Sequence, residues 1–387
     1  MAQPVAKTPG MTLATTWTAL RSPTHRAVGW WLILMAILVA LMVTIGGLTR
    51  LTGSGLSITE WKPVSGIIPP LTHDDWQTVF EKYRQIPQYR LENRGMSLAQ
   101  FQGIFWWEWT HRLLGRLLAV AFLLPFAVFA ATGAIARRDW PRMIVLFALG
   151  GLQGLVGWWM VKSGLEVRVS VSQYRLAIHL GVALLLFAAL LWTAMEYLRD
   201  SRAAAGGTAD RRGAAFAWSL VAAVYVQMLL GALVAGLHAG LIYNTWPSMD
   251  GRVVPEGGFA VHPWWRNFFE NAGLAQFDHR LVAYIVAAAV LAFWMMMRGP
   301  RGSSSSRTSS NALLAVVGLQ VALGIVTLLN QAPLVLAALH QATAVLLFAT
   351  ALWNAFEVSG RGAPAVHHKA HKGTPSRIQQ ANAGLRG

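Results

Sequence analysis

The chain has 387 residues, 55% hydrophobic and only 12% charged, with a net charge of +16 and no cysteine. Charge makes up about 25% of an ordinary soluble protein, so this composition excludes a soluble enzyme, a disordered chain and a collagen-like fibre. The lack of cysteine removes disulfides, zinc–thiolate sites, iron–sulfur clusters and thiol nucleophiles, and the basic residues, scattered between long apolar runs, mark membrane topology and no nucleic-acid partner.

A spanning helix needs about 20 mostly apolar residues. Eight segments meet that length or nearly do: Ala27–Leu48, Phe105–Ala131, Met143–Val161, Leu176–Leu198, Ala214–Leu237, Leu274–Met297, Ala312–Leu329 and Leu334–Phe356. Backbone groups in lipid must be satisfied within the segment, so the spans are predicted to be helices. Their even number puts both termini on one side. Eighteen of the 32 Lys and Arg fall in the two tails and in the second, fourth and sixth loops. By the positive-inside rule both termini are cytoplasmic. No cleavable signal peptide is expected, since the first apolar run is too long and follows a 26-residue polar tail. A bacterial inner membrane is the expected location. The mitochondrial inner membrane is the alternative, because that tail has no acidic residue.

The first outer loop holds Trp76, Val79, Phe80 and Tyr83 at helical spacing. A helix near Asp74–Gln85 is predicted, opened by Thr72 or His73 ahead of the acidic pair Asp74-Asp75. It could cover a site, lie on the membrane or pack on the bundle. The Ala/Gly stretch Ala203–Gly213 and the Ser/Arg stretch Gly299–Ser310 read as flexible connectors. The basic C-terminal tail, with His367, His368 and His371, reads as solvated.

The two halves repeat. Gly46, Leu48, Gly55, Leu56 and Trp61 match Gly231, Leu233, Gly240, Leu241 and Trp246 without a gap. His111-Arg112-Leu113 matches His279-Arg280-Leu281, and Gly151-Leu152-Gln153 with Gly157 matches Gly318-Leu319-Gln320 with Gly324. His179 matches His340, followed by a shared Leu-Leu-Phe-Ala and a shared Trp. The matches stay in order over four spans, the mark of a tandem duplication. The fold expected is an all-α integral membrane protein, with eight transmembrane helices as two tandem pseudo-symmetric four-helix bundles. Its parts are a cytoplasmic tail 1–26, a four-helix unit 27–198, a linker 199–213, a second unit 214–357 and a basic tail 358–387. Gly150, Gly154, Gly157, Gly318 and Gly324 are expected to let helices approach closely.

Four of the eleven histidines lie in spans, one each on the second, fourth, sixth and eighth: His111, His179, His279 and His340. Those spans all start on the outer side, so the imidazoles share a depth near the outer leaflet. A polar residue inside a span is costly and usually functional. Histidines facing each other across a four-helix unit can hold a haem. The pairing is His111 with His179 and His279 with His340, each set being the metal ligands of one haem iron. Arg112, Arg116 and Arg280 follow the ligand histidines and could meet haem propionates. Glu108 stands three residues before His111, on the same helical face. The second half has Gln276 there, with Asp278 beside His279. A carboxylate over one site only implies that one haem is acted upon and the other is not.

Phe105-Trp106-Trp107-Glu108-Trp109-Thr110-His111-Arg112-Leu113-Leu114-Gly115-Arg116 is the most specific stretch in the chain. With Thr52-Gly53-Ser54-Gly55-Leu56, the loop pattern Trp76, Phe80, Tyr83, Pro87, Tyr89, and Gln276-Phe277-Asp278-His279-Arg280, it resembles the haem A synthase family of mitochondria and alpha-proteobacteria over residues 27 to 357. The resemblance implies oxidation of the C8 methyl of haem O to a formyl group by successive hydroxylations, with water supplying the oxygen, for cytochrome oxidase biogenesis. It implies that His111, His179, Arg112 and Arg116 bind the substrate haem O, and that His279, His340 and Arg280 hold a resident haem b cofactor. Glu108 matches the family's essential acidic residue and is expected to take a proton or guide water. A haem O synthase upstream, oxidase assembly factors and membrane lipid are the implied partners, with homo-oligomerisation left open. Some bacterial members carry a cysteine pair in the first outer loop; this chain has none. Competing readings are a non-catalytic di-haem electron-transfer cytochrome, which leaves Glu108 unexplained, and a transporter, for which no midplane charge is present.

Overall fold

The computed structural model describes residues 23–166, 168–199, 211–300 and 302–360. Residues 1–22 of the N-terminal tail, most of the predicted linker and the C-terminal tail with its three histidines lie outside the described residues. Eight helices are long and apolar enough to cross a membrane. They are α1 Pro23–Leu51, α2 Leu98–Ala131, α3 Trp140–Leu165, α4 Gln173–Leu198, α5 Arg211–Gly236, α6 Ala272–Arg298, α7 Ser304–Leu329 and α8 Leu334–Val358. Among the described residues the only β feature is an isolated bridge between Met249 and Arg252. The protein is an all-helical, multi-pass membrane protein, as its composition requires.

The helices close into two rings. α1 touches α2 and α4, and α3 touches the same two; α5 to α8 repeat that circuit. The rings join where α4 meets α5 and α8 meets α1. Exchanging the halves converts one of these contacts into the other, so the join is two-fold in form. At the end of α4 and α8 away from the histidines, the equivalent Trp192 and Trp353 indoles donate to the equivalent Glu196 and Glu357, at 2.8 and 3.2 Å. The two carboxylates then diverge. Glu196 pairs with Arg142 inside its own half, whereas Glu357 lies 3.6 Å from Arg199 of the other half.

All the helices but α8 start before the predicted apolar runs, and three of these starts have a local cause or reach into a predicted connector. α2 begins at Leu98, because Ser97 and Gln100 form a reciprocal capping box. Its 34 residues reach about 51 Å at 1.5 Å per residue, well beyond a hydrocarbon core of about 30 Å. The extra turns stand outside the membrane. α5 begins at Arg211, inside the stretch taken as linker. α7 begins at Ser304, inside the Ser/Arg stretch expected to be a flexible connector. Ser303 caps it by accepting from the Ser306 amide, and the Ser309 hydroxyl donates to Asn354 of α8 at 2.8 Å. These serines satisfy their hydroxyls on the helix and its neighbour, so a polar composition did not mean a free chain.

The predicted outer-loop helix is present as His73–Arg84, capped by Thr72 in a capping box with Asp75. It packs on the projecting turns of α2. Phe80 stacks on Phe101 with centroids 4.9 Å apart, and Trp76 meets Phe105 edge-on at 4.9 Å. Leu56, Tyr83, Ile86 and Tyr89 complete this outer core. Outside lipid, such a cluster has the full hydrophobic driving force.

Candidate functional site

The four span histidines occupy four equivalent cradles. Each imidazole lies against a glycine of the preceding helix. A Cβ on Gly46 would stand 3.0 Å from the His111 ring, on Gly157 3.0 Å from His179, on Gly231 3.2 Å from His279 and on Gly324 2.9 Å from His340. Those spacings are tighter than nearly all real side-chain contacts, so glycine is what lets the Cε1 of each ring come up against the neighbouring helix. Gly157 and Gly324 therefore serve the histidines. Gly150, Gly154 and Gly318, expected to bring helices together, meet nothing within 4 Å. They border open space instead.

Within each half the two rings are neighbours. His279 and His340 have centroids 6.5 Å apart and planes at 76°. His111 and His179 hold the equivalent cradles of the first half. Among the described residues no group of three or more His, Asp or Glu gathers to hold a bare ion. The donor set is two imidazoles per half. An iron between two imidazoles needs two metal–nitrogen bonds of roughly 2 Å each. With the two ring radii added, 6.5 Å between centroids accommodates one such atom. The Nδ1 atoms of His111, His179 and His340 are buried without a partner. The site fits a bis-imidazole haem.

The outer loops are pinned to the histidine helices by arginine, in the same way in both halves. Arg112 donates from its Nη atoms to the carbonyls of Ile58 at 2.8 Å and Glu60 at 3.0 Å. Arg280 donates to the carbonyls of Tyr243 at 2.8 Å and Thr245 at 3.0 Å. In the gapless match of the repeats these carbonyls are equivalent. Arg116 donates to the carbonyls of Pro63 and Lys62, both at 2.8 Å. All three nitrogens of Arg112 are engaged, while Arg116 keeps one buried Nη1 and Arg280 its buried Nε without a partner. The arginines expected at propionates thus act first as loop anchors.

The halves differ at the turn above each site. Glu108 is 3% exposed. Its Oε1 accepts from Arg112, at 3.0 Å to Nε, and its Oε2 accepts from the Ser57 hydroxyl at 2.8 Å and the Ile58 amide at 2.9 Å. A carboxylate has about four acceptor sites, and here all are filled. In the second half Gln276 instead donates to the Tyr243 carbonyl at 3.0 Å, and Ile242 stands where Ser57 does. So the first half has a charged, hydroxyl-bearing turn and the second a neutral one. Further out, Glu60 accepts from Lys82 at 2.9 Å and Lys62 at 3.0 Å. The Lys82 and Lys62 ammonium groups hold its carboxyl below the usual carboxylate range.

Four glutamines at or beside the histidines were given no role in the sequence reading. Gln153 of α3 donates to the His179 carbonyl at 2.9 Å, and Gln227 of α5 to the His279 carbonyl at 2.9 Å. Gln320 of α7 lies 3.4 Å from His340 Nε2. Each precedes a cradle glycine by one turn, which was the available signal. Gln341, next to His340, crosses between the halves and donates to the Val43 carbonyl of α1 at 2.6 Å, resting on Gly47.

Residues 29–352 match the family described as Cytochrome oxidase assembly protein. Curated relatives named Heme A synthase include one from Parvibaculum lavamentivorans, 50% identical over 331 residues, covering 85% of this chain and 94% of the relative. Another, from Bradyrhizobium diazoefficiens, is 51% identical over 344 residues, covering 88% and 94%. A third, from Nitrosomonas eutropha, is 47% identical over 330 residues, covering 85% and 93%. With such likeness along nearly the whole membrane domain, and with paired histidines in both halves, the chain belongs to the family of cytochrome oxidase assembly proteins.

Proposed function

We propose that this chain works as a haem A synthase, converting the C8 methyl of haem O to a formyl group for the assembly of cytochrome oxidase. The observation that carries the reading is a pair of matched bis-histidine sites that differ by one buried carboxylate. His111 and His179 would hold haem O in the N-terminal half, 27–198. His279 and His340 would hold a resident haem b in the C-terminal half, 214–357. Arg116 and Arg280, each with one free buried nitrogen, are the better placed partners for propionates. When bound, the haem iron supplies the redox chemistry that an unactivated methyl requires.

The protein's own part is position and proton handling. Two cradled imidazoles fix the substrate plane. Arg112 and the Glu60 ion pairs hold the first outer loop over that half. Converting the methyl to a formyl takes one oxygen from water and releases four protons and four electrons; the electrons would pass by way of the resident haem to an acceptor outside the site, and the protons must leave through the protein. Glu108 is the carboxylate at hand, but each of its acceptor sites is filled. Ser57 is the donor that can turn away, because a hydroxyl rotates and an amide or guanidinium does not. Glu108 therefore takes a proton or orders water when Ser57 releases it, and otherwise keeps the loop shut.

The basic residues at the helix ends support an inner-membrane placement with both termini in the cytoplasm. A haem O synthase is the upstream partner that the chemistry calls for. The test is co-expression with a source of haem O, followed by acid extraction of pigments from cells with wild type or His111→Ala. Haem A from wild type and none from the variant is the expected result. Bis-histidine haem in the purified wild type with no haem A in the extract would favour an electron-transfer cytochrome instead.

A further inference from the structure

Behind each site histidine the preceding helix carries a residue pair one turn apart. For His179 it is Gln153 and Gly157, for His340 Gln320 and Gly324, and for His279 Gln227 and Gly231. For His111 the glycine is Gly46, and the gapless match of α1 with α5 puts Met42 where Gln227 stands. Three cradles have an amide and one has a thioether.

Glutamine in a span is costly, and these three use only part of their capacity. The Oε1 atoms of Gln153, Gln227 and Gln320 are buried with no partner, as are Nδ1 of His179 and His340. The Nε2 of Gln227 is 3.1 Å from His279 Nδ1, and the Oε1 on the same carbon is the acceptor left free beside that ring. A metal-bound histidine almost always gives its second ring N–H to an acceptor, which fixes the ring and strengthens the ligand. At the two cradles of α3 and α7 an unmet donor and an unmet acceptor thus sit on adjoining helices. At His111 the donor is equally unmet, and a thioether is only a weak acceptor.

We infer that the three glutamines are positioning residues that lock their histidines onto iron, and that Met42 leaves His111 as the one releasable ligand. The N-terminal half then exchanges its haem, while the C-terminal half retains its own. This rests on the haem-ligand reading of the four histidines. It adds to that reading a physical reason why one site serves a substrate and the other a cofactor.

The test uses the full chain, purified in detergent with haem b in both sites and mixed with excess soluble apoglobin. Release should follow two phases, and His111→Ala should remove the fast one. Met42→Gln should slow the fast phase by roughly 10- to 100-fold, the usual effect of such a partner on metal affinity. Gln227→Met should speed the slow phase by a similar factor and shift the reduction potential of that haem. Gln227→Glu, which keeps an acceptor oxygen, should restore both. Release rates unchanged in Met42→Gln, with the two-phase wild type intact, would overturn the inference alone. A wild type with no bis-imidazole absorption spectrum would overturn the ligand reading as well, so the two failures are distinct.

Discussion

Phe187 and Phe348 occupy equivalent places in the two halves, and their rings lie together with centroids 6.2 Å apart. A residue in contact with its own counterpart marks where the two-fold relation passes through the protein. Both rings are buried in one core shared by the halves. In lipid, association relies on such packing, since tails are as apolar as the side chains they replace. Phe187→Ala and Phe348→Ala should each lower thermal stability by about 1–3 kcal/mol, below the ~3–5 kcal/mol of a water-surrounded core. The double variant should cost less than the sum, because the residues share one contact. A strictly additive cycle in detergent melts would show that the rings do not support each other.

The cradle glycines make a sharper prediction. Gly324→Ala puts a methyl 2.9 Å from the His340 ring, where the ring must tilt. Overpacking of this kind costs about 1–3 kcal/mol. The resident haem should bind at least several-fold more weakly, visible as a lower haem-to-protein ratio. Gly318→Ala, facing open space one helical turn and a half away, should leave helix packing untouched. Equal haem content in wild type and Gly324→Ala would refute the cradle.

Glu108→Gln keeps the shape of the side chain and removes its charge. Arg112 retains its two loop carbonyls, so haem should still bind, while haem A output should fall to background. Ser57→Ala should leave Glu108 bonded to Arg112 and Ile58, yet change the pH profile of turnover. Pigment extraction and pH-dependent assays of the two variants measure this. Normal haem A from Glu108→Gln would remove the carboxylate from the reaction.

The outer loop should loosen in acid. Glu60 is held below its ordinary carboxylate range by Lys82 and Lys62, and exposed Asp75 is lowered by hydrogen bonds from Thr72. A carboxylate depressed in the folded state contributes stability that is complete above its unfolded value and is lost as pH falls through the folded value. Protection factors in residues 58–84, with the intrinsic pH dependence of exchange divided out, should therefore fall below the normal carboxylate range and stay flat from there to neutrality. Thr72→Ala should cost about 1 kcal/mol of helix stability at neutral pH. Protection that is unchanged through the acid range would show that these pairs do not hold the loop.

Much of this arrangement was legible in the residues. Apolar runs located all eight spans, and the order of repeated motifs paired His111 with His179 and His279 with His340. Other parts could not be read. The projection of α2 to Leu98 depends on an aromatic core formed with a loop, and hydropathy does not register helix outside lipid. The start of α7 depends on serine hydroxyls finding partners, which composition hides. The loop contacts of Arg112 and Arg280 could not be foreseen because nothing in their spacing reveals which carbonyl a distant loop presents. Gln227 was passed over because its counterpart is Met42, and a search for matches discards the positions where halves diverge.

Gln341 gives the halves a common ruler. It adjoins the ligand His340, yet its amide grips the Val43 carbonyl on α1, one residue from Met42 and one turn from Gly46. At this level the spacing of the two halves is tied to a crossing amide and to the bare Cα of Gly47 beneath it. On the proposed haem reading, a shift of His340 would be felt at the α1 segment behind His111, so that loading one half would bear mechanically on the grip of the other.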